Sequence, residues 1–154
     1  MLEQAIKEEL IFLNETAADR AELFRKISDI YFEKGYVKEG FHDYLSNRED
    51  SYPTGLALES HTAAIPHGDP EYINKPFISV ITMQKPIKMN KMEDPDAEID
   101  VELLFVLGLA DSGQHLEILR GIIGLLQHED IVDRIKAATS TQDIMNEIAA
   151  ASNQ

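Results

Sequence analysis

At 154 residues the chain is long enough for one domain with a single core, and we assign residues 1–154 to that domain. Its formal net charge is −14, from 28 acidic and 14 basic side chains, which argues against a nucleic-acid partner and against docking on an anionic membrane. The chain has no cysteine, which excludes disulfides, zinc–thiolate sites and thiol nucleophiles.

The N-terminal segment has neither the basic region nor the long apolar region of a signal peptide. No apolar run in the chain approaches the roughly 18 residues that span a bilayer. We therefore expect a cytoplasmic protein without membrane insertion.

The first half of the chain predicts three strands and two helices. A short apolar run at residues 10–13 indicates an edge strand, and residues 62–65 and 77–83 indicate two more, the last rich in β-branched residues. Apolar residues at helical spacing predict a helix ended by Gly35 and a shorter helix ending near Arg48. The apolar positions of these two helices are Leu23, Phe24, Ile27, Ile30 and Tyr31, then Phe41, Tyr44 and Leu45.

The second half predicts a loop, a central strand and three helices. Residues 89–100 are acidic and contain proline, so we expect a solvated loop, whereas the apolar run 101–109 predicts a strand covered on both faces. Ser140 and Asp143 resemble a capping box that opens the last helix. The apolar positions of the three helices are Leu116, Leu119, Ile122, Ile123 and Leu126, then Ile131, Val132 and Ile135, then Ile144, Met145 and Ile148. Together these elements predict an α/β domain with a mixed sheet of four or five strands flanked by helices.

The most informative segment is residues 48–68, which joins a charged helix end and a Pro-Thr-Gly turn to a short strand ending in Ile-Pro-His-Gly. Pro66 lacks an N–H group and fixes its own φ, while Gly68 permits any φ. The chain is therefore expected to leave the sheet here with the imidazole of His67 at the strand end. A histidine on a rigid turn suits a nucleophile or a ligand.

This segment, together with the strand 101–109 and the helix start at Gln114 and His115, resembles the IIA component of the bacterial phosphoenolpyruvate-dependent sugar phosphotransferase system. The resemblance is to the mannitol/fructose type, and the patterns Arg-Glu-x-x-Tyr-Pro-Thr-Gly, Leu-Glu-x-His and Ile-Pro-His are most similar to the galactitol-type subgroup. It extends over residues 11–148. It implies a mixed sheet flanked by helices and a phosphotransferase activity that needs no metal or cofactor.

The resemblance also implies partners and site residues. A histidine, here His67, accepts a phosphoryl group from HPr and gives it to a cysteine of a IIB component, and IIB serves sugar uptake through the membrane component IIC. A neutral imidazole nitrogen is a competent nucleophile near pH 7. Arg48 can donate two parallel hydrogen bonds to the phosphoryl oxygens. His115, in the first turn of its helix, matches the second histidine of the family, and the resemblance indicates Nε2 as the phosphorylated nitrogen.

Glu59 is a candidate for orienting one of the imidazoles. Residues expected to line a shallow apolar depression at the site are Leu56, Ala64, Ile65 and those near Gly113.

Each assignment has a simpler alternative. Taken alone, His67 is typical of a solvated loop histidine. Arg48 is typical of an arginine that the helix dipole favours at a C-terminus, and His115 is typical of an exposed residue in the first turn of a helix. His61 matches a histidine of the galactitol-type subgroup, and a packing or surface role is an equal alternative. His42 and His128 are expected on helix surfaces without a function.

Two other functions compete with the phosphocarrier. The first keeps the phosphohistidine but makes the protein a regulator that binds other proteins according to its phosphorylation state. The second is a metal-dependent hydrolase using His61, His67, Asp69 and His115, although this spacing matches none of the strict ligand patterns. The sugar cannot be identified from the chain, because the membrane component recognises it in this family.

Overall fold

Five strands form a mixed sheet at the centre of the computed structural model, which describes residues 2–152. They are β1 (Ile6–Glu15), β2 (Gly55–Ala57), β3 (Thr62–Ala64), β4 (Phe77–Asn90) and β5 (Glu98–Gly108), in the sheet order β1-β4-β5-β3-β2. The pairs β1–β4 and β3–β5 are parallel, and the pairs β4–β5 and β2–β3 are antiparallel. This confirms the predicted α/β class, the mixed sheet and the position of β1 at an edge.

Helices cover both faces of the sheet. They are α1 (Leu2–Ala5), α2 (Arg20–Glu33), α3 (Phe41–Ser51), α4 (Ser112–Leu126), α5 (Glu129–Ala137) and α6 (Thr141–Ser152), with a 3₁₀ turn at Pro70–Tyr72. One core lies between the sheet and α2 and α3, and the other lies between the sheet and α1, α4, α5 and α6. No helix within residues 2–152 combines the length and the apolar character needed to cross a membrane.

The strand β5 divides these two cores. Leu103, Phe105 and Leu107 point into the core under α4, α5 and α6. Leu104 and Val106 point into the core under α2 and α3. Successive side chains of a strand point to opposite faces, so a strand buried on both faces must be apolar throughout. The prediction of a central strand is confirmed.

Local signals at the helix ends behave as predicted in two places. Gly35 follows α2 with a φ of 84°, in the left-handed region that glycine adopts readily. The Ser140 hydroxyl accepts a hydrogen bond of 3.1 Å from the backbone N–H of Asp143 at the start of α6. Such caps satisfy N–H groups that the first helical turn leaves free.

The predicted loop at residues 89–100 is wrong at both ends. β4 continues to Asn90 and β5 begins at Glu98, so the connection spans only residues 91–97. Met89 is 1% exposed and pairs with Ile99 across the two strands. Apolar residues alternate with polar ones on both arms, which is the pattern of a strand with one solvated face.

The predicted inward face of α4 is also wrong in part. Ile122 and Leu126 are buried as predicted, together with Leu125, whereas Leu116 is 54% exposed and Ile123 is 37% exposed. The helix carries more apolar residues than the one face turned to the core can bury, so the remaining apolar residues lie in solvent.

Candidate functional site

The pairing of β3 with β5 brings His67 and His115 to one edge of the sheet. The two strands are parallel neighbours, so their C-terminal ends lie at the same end of the sheet, which is the edge meant here. His67 lies three residues after the end of β3, and β5 leads through a short turn into α4, where His115 lies near the start. The two imidazole rings are 4.6 Å apart between centroids and inclined by 57°. The structure therefore places two of the predicted site residues side by side.

The backbone on both sides of His67 is tied to β5. The carbonyl of Pro66 accepts a 2.9 Å hydrogen bond from the N–H of Leu107, and the N–H of Gly68 donates a 2.8 Å bond to the Leu107 carbonyl. A Cβ on Gly68 would lie 2.5 Å from Cε1 of Phe41, a buried residue of α3, so only glycine permits this close approach. The turn thus holds His67 in one position against α3.

The Ile65 carbonyl sets the protonation pattern of the His67 ring. Nδ1 of His67 is hydrogen-bonded to the carbonyl oxygen of Ile65. A carbonyl oxygen only accepts, so Nδ1 carries the proton and Nε2 holds the free lone pair. Glu59, the sequence-based candidate for orienting an imidazole, is exposed on the turn between β2 and β3. The backbone at Ile65 orients His67 instead.

Arg48, in the last turn of α3, lies close enough for its charge to act on both rings. It lowers the pKa of His67 and that of His115. One guanidinium nitrogen, Nη1, is 3.5 Å from the Tyr44 hydroxyl, and Cζ lies 5.4 Å from the centroid of Tyr52. Within the part of the chain that the structure describes, the buried Nε has no hydrogen-bond partner. Arg48 therefore has one donor without a partner among the described residues and a positive charge that acts on both histidines.

Both histidines are held in the neutral form. Burial is the main cause that lowers the pKa of His67 to about 4, and the neighbouring His115 and Arg48 lower it further against the opposing bond to Ile65. Burial and the charge of Arg48 also lower the pKa of His115. At neutral pH, Nε2 of His67 is consequently a nucleophile that needs no base to deprotonate it.

We expect this depressed pKa to make the fold acid-sensitive through His67. The pKa is lower in the folded than in the unfolded state, so stability is complete above pH 6.5 and is lost as the pH falls towards 4. Between pH 7 and pH 4, the unfolding free energy of the wild type should fall by about 3 kcal/mol more than that of His67→Asn. The amide of the asparagine can keep the bond to Ile65. Urea unfolding of both proteins across this range checks it, and parallel curves would contradict it.

The other histidines take no part in this cluster. His61 is buried, with Nε2 3.2 Å from Oδ1 of Asp133 and Nδ1 3.3 Å from Nζ of Lys136, so it packs against α5. His42 is half-buried on α3, and His128 is exposed at the start of α5.

Two of the four residues of the alternative metal site bind other groups instead. His61 lies against α5, and Oδ1 of Asp69 accepts from the N–H of Glu71 in the 3₁₀ turn. Residues 2–152 contain no group of three or more His, Cys, Asp or Glu side chains arranged to hold a metal ion.

The predicted lining of the site needs correction. Ala64 and Ile65 are fully buried because successive residues of the strand point into opposite cores, so neither can contact a partner protein. Leu56 is half-buried against the core. The apolar residues that do lie in solvent near Arg48 and His115 are Tyr52, 68% exposed, and Leu116.

Sequence reasoning missed two buried polar residues next to the site. Glu49 is 1% exposed and Thr54 is 4% exposed, and they are hydrogen-bonded to each other. Both belong to the Arg-Glu…Pro-Thr-Gly pattern. A glutamate directly after an arginine at a helix end gave no signal that it would be buried.

Comparison with known proteins places these features in a family context. A family model described as "Phosphoenolpyruvate-dependent sugar phosphotransferase system, EIIA 2" matches residues 4–151. The galactitol-specific EIIA component of Escherichia coli K12 is 31% identical over 124 residues, covering 80% of this chain and 82% of that protein. The mannitol-specific phosphotransferase enzyme IIA component of Bacillus subtilis strain 168 is 29% identical over 144 residues, covering 92% of this chain and 94% of that protein.

A solved structure extends the likeness to the fold. The complex of the mannitol enzyme IIA with phosphorylated enzyme IIB from Escherichia coli contains a chain that matches with a TM-score of 0.74 at 23% identity. The match covers 94% of this chain and 97% of that chain. At this level of identity the likeness concerns the fold alone.

Proposed function

This chain belongs to the EIIA type 2 family of the phosphoenolpyruvate-dependent sugar phosphotransferase system, a family of phosphotransferases, and on that premise we propose that it carries a phosphoryl group on Nε2 of His67. The observation that supports this proposal is the neutral, rigidly held His67 ring beside His115 and Arg48. HPr is the donor, a cysteine of a IIB component is the acceptor, and the transfer takes place in the cytoplasm.

The geometry suits an in-line transfer. The lone pair of Nε2 attacks the phosphorus atom, the new N–P bond forms, and the bond between phosphorus and the donor breaks, with its electron pair leaving on the donor. The His67 ring keeps its Nδ1 proton and gains positive charge, which the Ile65 carbonyl stabilises as the acceptor of that N–H.

Arg48 and His115 stabilise the transferred group. The charge in the transition state spreads over three equatorial oxygens, so most of the catalysis comes from positioning and electrostatics. Arg48 donates in parallel to two of those oxygens, and an N–H of His115 donates to the third. In a chain of net charge −14, this local positive charge is needed to hold a phosphoryl group.

The downstream steps follow the family. The Escherichia coli mannitol IIA protein was solved together with phosphorylated IIB, which supports a IIB protein as acceptor here. IIB then serves uptake through the membrane component IIC. The galactitol-specific relative supports uptake of a galactitol-type carbohydrate.

The test is a stepwise phosphorylation followed by intact-mass measurement. We expect phosphoenolpyruvate, enzyme I and HPr to add one acid-labile phosphoryl group, and a galactitol-type IIB protein to remove it. Omitting HPr should prevent labelling. A label that no galactitol-, mannitol- or fructose-type IIB protein removes would favour the regulatory alternative. No label, with HPr itself phosphorylated, would overturn the proposal.

A further inference from the structure

A buried carboxylate lies directly behind the candidate site. Glu49 follows Arg48 on α3 and is 1% exposed. Charged side chains are rarely buried to this extent unless nearby groups compensate for the lost water. Burial raises the pKa of Glu49, against hydrogen bonds from Thr54 and the charges of Arg20 and Arg48. The proposed transfer leaves this group without a role.

Hydrogen bonds connect Glu49 to the backbone that orients His67. Oε2 of Glu49 accepts from the Thr54 N–H at 2.7 Å, and the Thr54 hydroxyl lies 3.0 and 3.1 Å from Oε1 and Oε2. The Ile65 N–H donates to that hydroxyl oxygen at 3.1 Å. The carbonyl of Ile65 in turn accepts from Nδ1 of His67.

The direction of each hydrogen bond follows from the donors available. The Thr54 hydroxyl oxygen accepts from the Ile65 N–H, which leaves its single proton free to be donated to the Glu49 carboxylate. Both groups that Glu49 contacts here are therefore donors, which suits an ionised carboxylate. Removing the carboxylate would free the hydroxyl to rotate and release its hold on Ile65.

The chain of hydrogen bonds lies where the regular sheet ends. The β2–β3 ladder closes with the pair Gly55 and Ala64, and the next N–H, that of Ile65, is bound by the Thr54 side chain. Pro66 restricts the backbone of Ile65 to extended conformations. The N–H of Ile65 thus donates to Thr54, and the carbonyl of Ile65 accepts from Nδ1 of His67.

We propose that Glu49 and Thr54 are positioning residues that act through Ile65 to keep Nδ1 of His67 protonated and Nε2 free for phosphoryl transfer. This inference rests on the proposed function of His67. Neither residue touches the reacting atoms, so their effect on the reaction passes through the tautomer and the orientation of one ring. Misplacement of a reacting group by about 1 Å can cost about 100-fold in rate.

The test compares three threonine substitutions. Thr54→Val removes the hydroxyl at nearly constant volume, and Thr54→Ser restores it. Thr82→Val is the matched control, because Thr82 is also buried and its hydroxyl also accepts a backbone N–H, that of Asn14, at 2.9 Å. Nitrogen-15 imidazole spectra of the unphosphorylated proteins report the His67 tautomer, and labelling by phosphorylated HPr reports the rate.

We expect Thr54→Val to show a mixture of His67 tautomers and a rate at least about tenfold lower, while Thr54→Ser and Thr82→Val stay near wild type. Glu49→Gln, whose amide NH2 group must face either the Thr54 N–H or the Thr54 hydroxyl, should shift the His67 tautomer and the rate in the same direction as Thr54→Val. A wild-type His67 spectrum in Thr54→Val would overturn the proposal, as would an equal defect in Thr82→Val. The spectra decide this even if the wild-type protein is not phosphorylated, an outcome that would overturn the proposed function separately.

Discussion

Replacing His67 by alanine is expected to abolish phosphoryl labelling by HPr while the fold remains intact. The transfer needs one neutral imidazole nitrogen with a free lone pair, and the bond from Nδ1 to Ile65 leaves Nε2 of His67 in that state. His115 lies alongside, and within residues 2–152 its ring makes no hydrogen bond to a backbone carbonyl. Intact-mass measurement after incubation with phosphoenolpyruvate, enzyme I and HPr checks the result.

Two variants serve as controls for this experiment. His115→Ala should still be labelled, at a reduced rate, because it removes a hydrogen-bond donor and leaves the nucleophile. His128→Ala removes an exposed histidine at the start of α5 and should behave as wild type. A label that persists in folded His67→Ala protein would assign the phosphoryl group to another residue.

Arg48→Lys is expected to slow phosphoryl transfer by about 100-fold or more while weakening the binding of HPr much less. Lysine keeps the positive charge but offers a single ammonium group in place of the planar, two-pronged guanidinium. That geometry matters most when charge spreads over the equatorial oxygens, so its loss should raise the barrier more than it weakens the initial complex. Rapid-quench rates and HPr titrations measure the two quantities.

The matched control is Arg134→Lys on α5, where the arginine is ion-paired with Glu147 outside the site. Both quantities should stay at their wild-type values in that protein. Equal losses of rate and affinity in Arg48→Lys would make Arg48 a docking residue for HPr and remove it from the transfer step.

The fold was predictable where hydrophobic pattern and local chemistry agree. The apolar run of β5 can be buried only if the strand is covered on both faces, which fixed its central place. The strand residues 84–90 and 98–100 were missed because their alternating apolar and charged residues, close to Pro95, are typical of a solvated loop. Pairing between β4 and β5, which depends on distant contacts, decides that they are strands.

The sequence motif predicted the three main residues of the site but not the contacts that surround them. The pattern around Arg48, His67 and His115 is specific enough to mark three residues, and the structure places the two histidines together within reach of the Arg48 charge. The contact between Thr54 and Ile65 depends on the register of β2 against β3, which sequence alone does not set. The lining prediction failed for Ala64 and Ile65 because sequence alone does not show that both faces of this short strand are covered.

The two backbone bonds between Leu107 and the turn around His67 hold the ring at one fixed point, and the bond from Nδ1 to the Ile65 carbonyl leaves the ring with one free nitrogen. Under the proposed function, HPr and IIB must approach that same point and cannot be bound there together. The overall reaction is then ping-pong: the first partner has to dissociate before the second can bind. Throughput would depend on how quickly the partners exchange as well as on the chemical step.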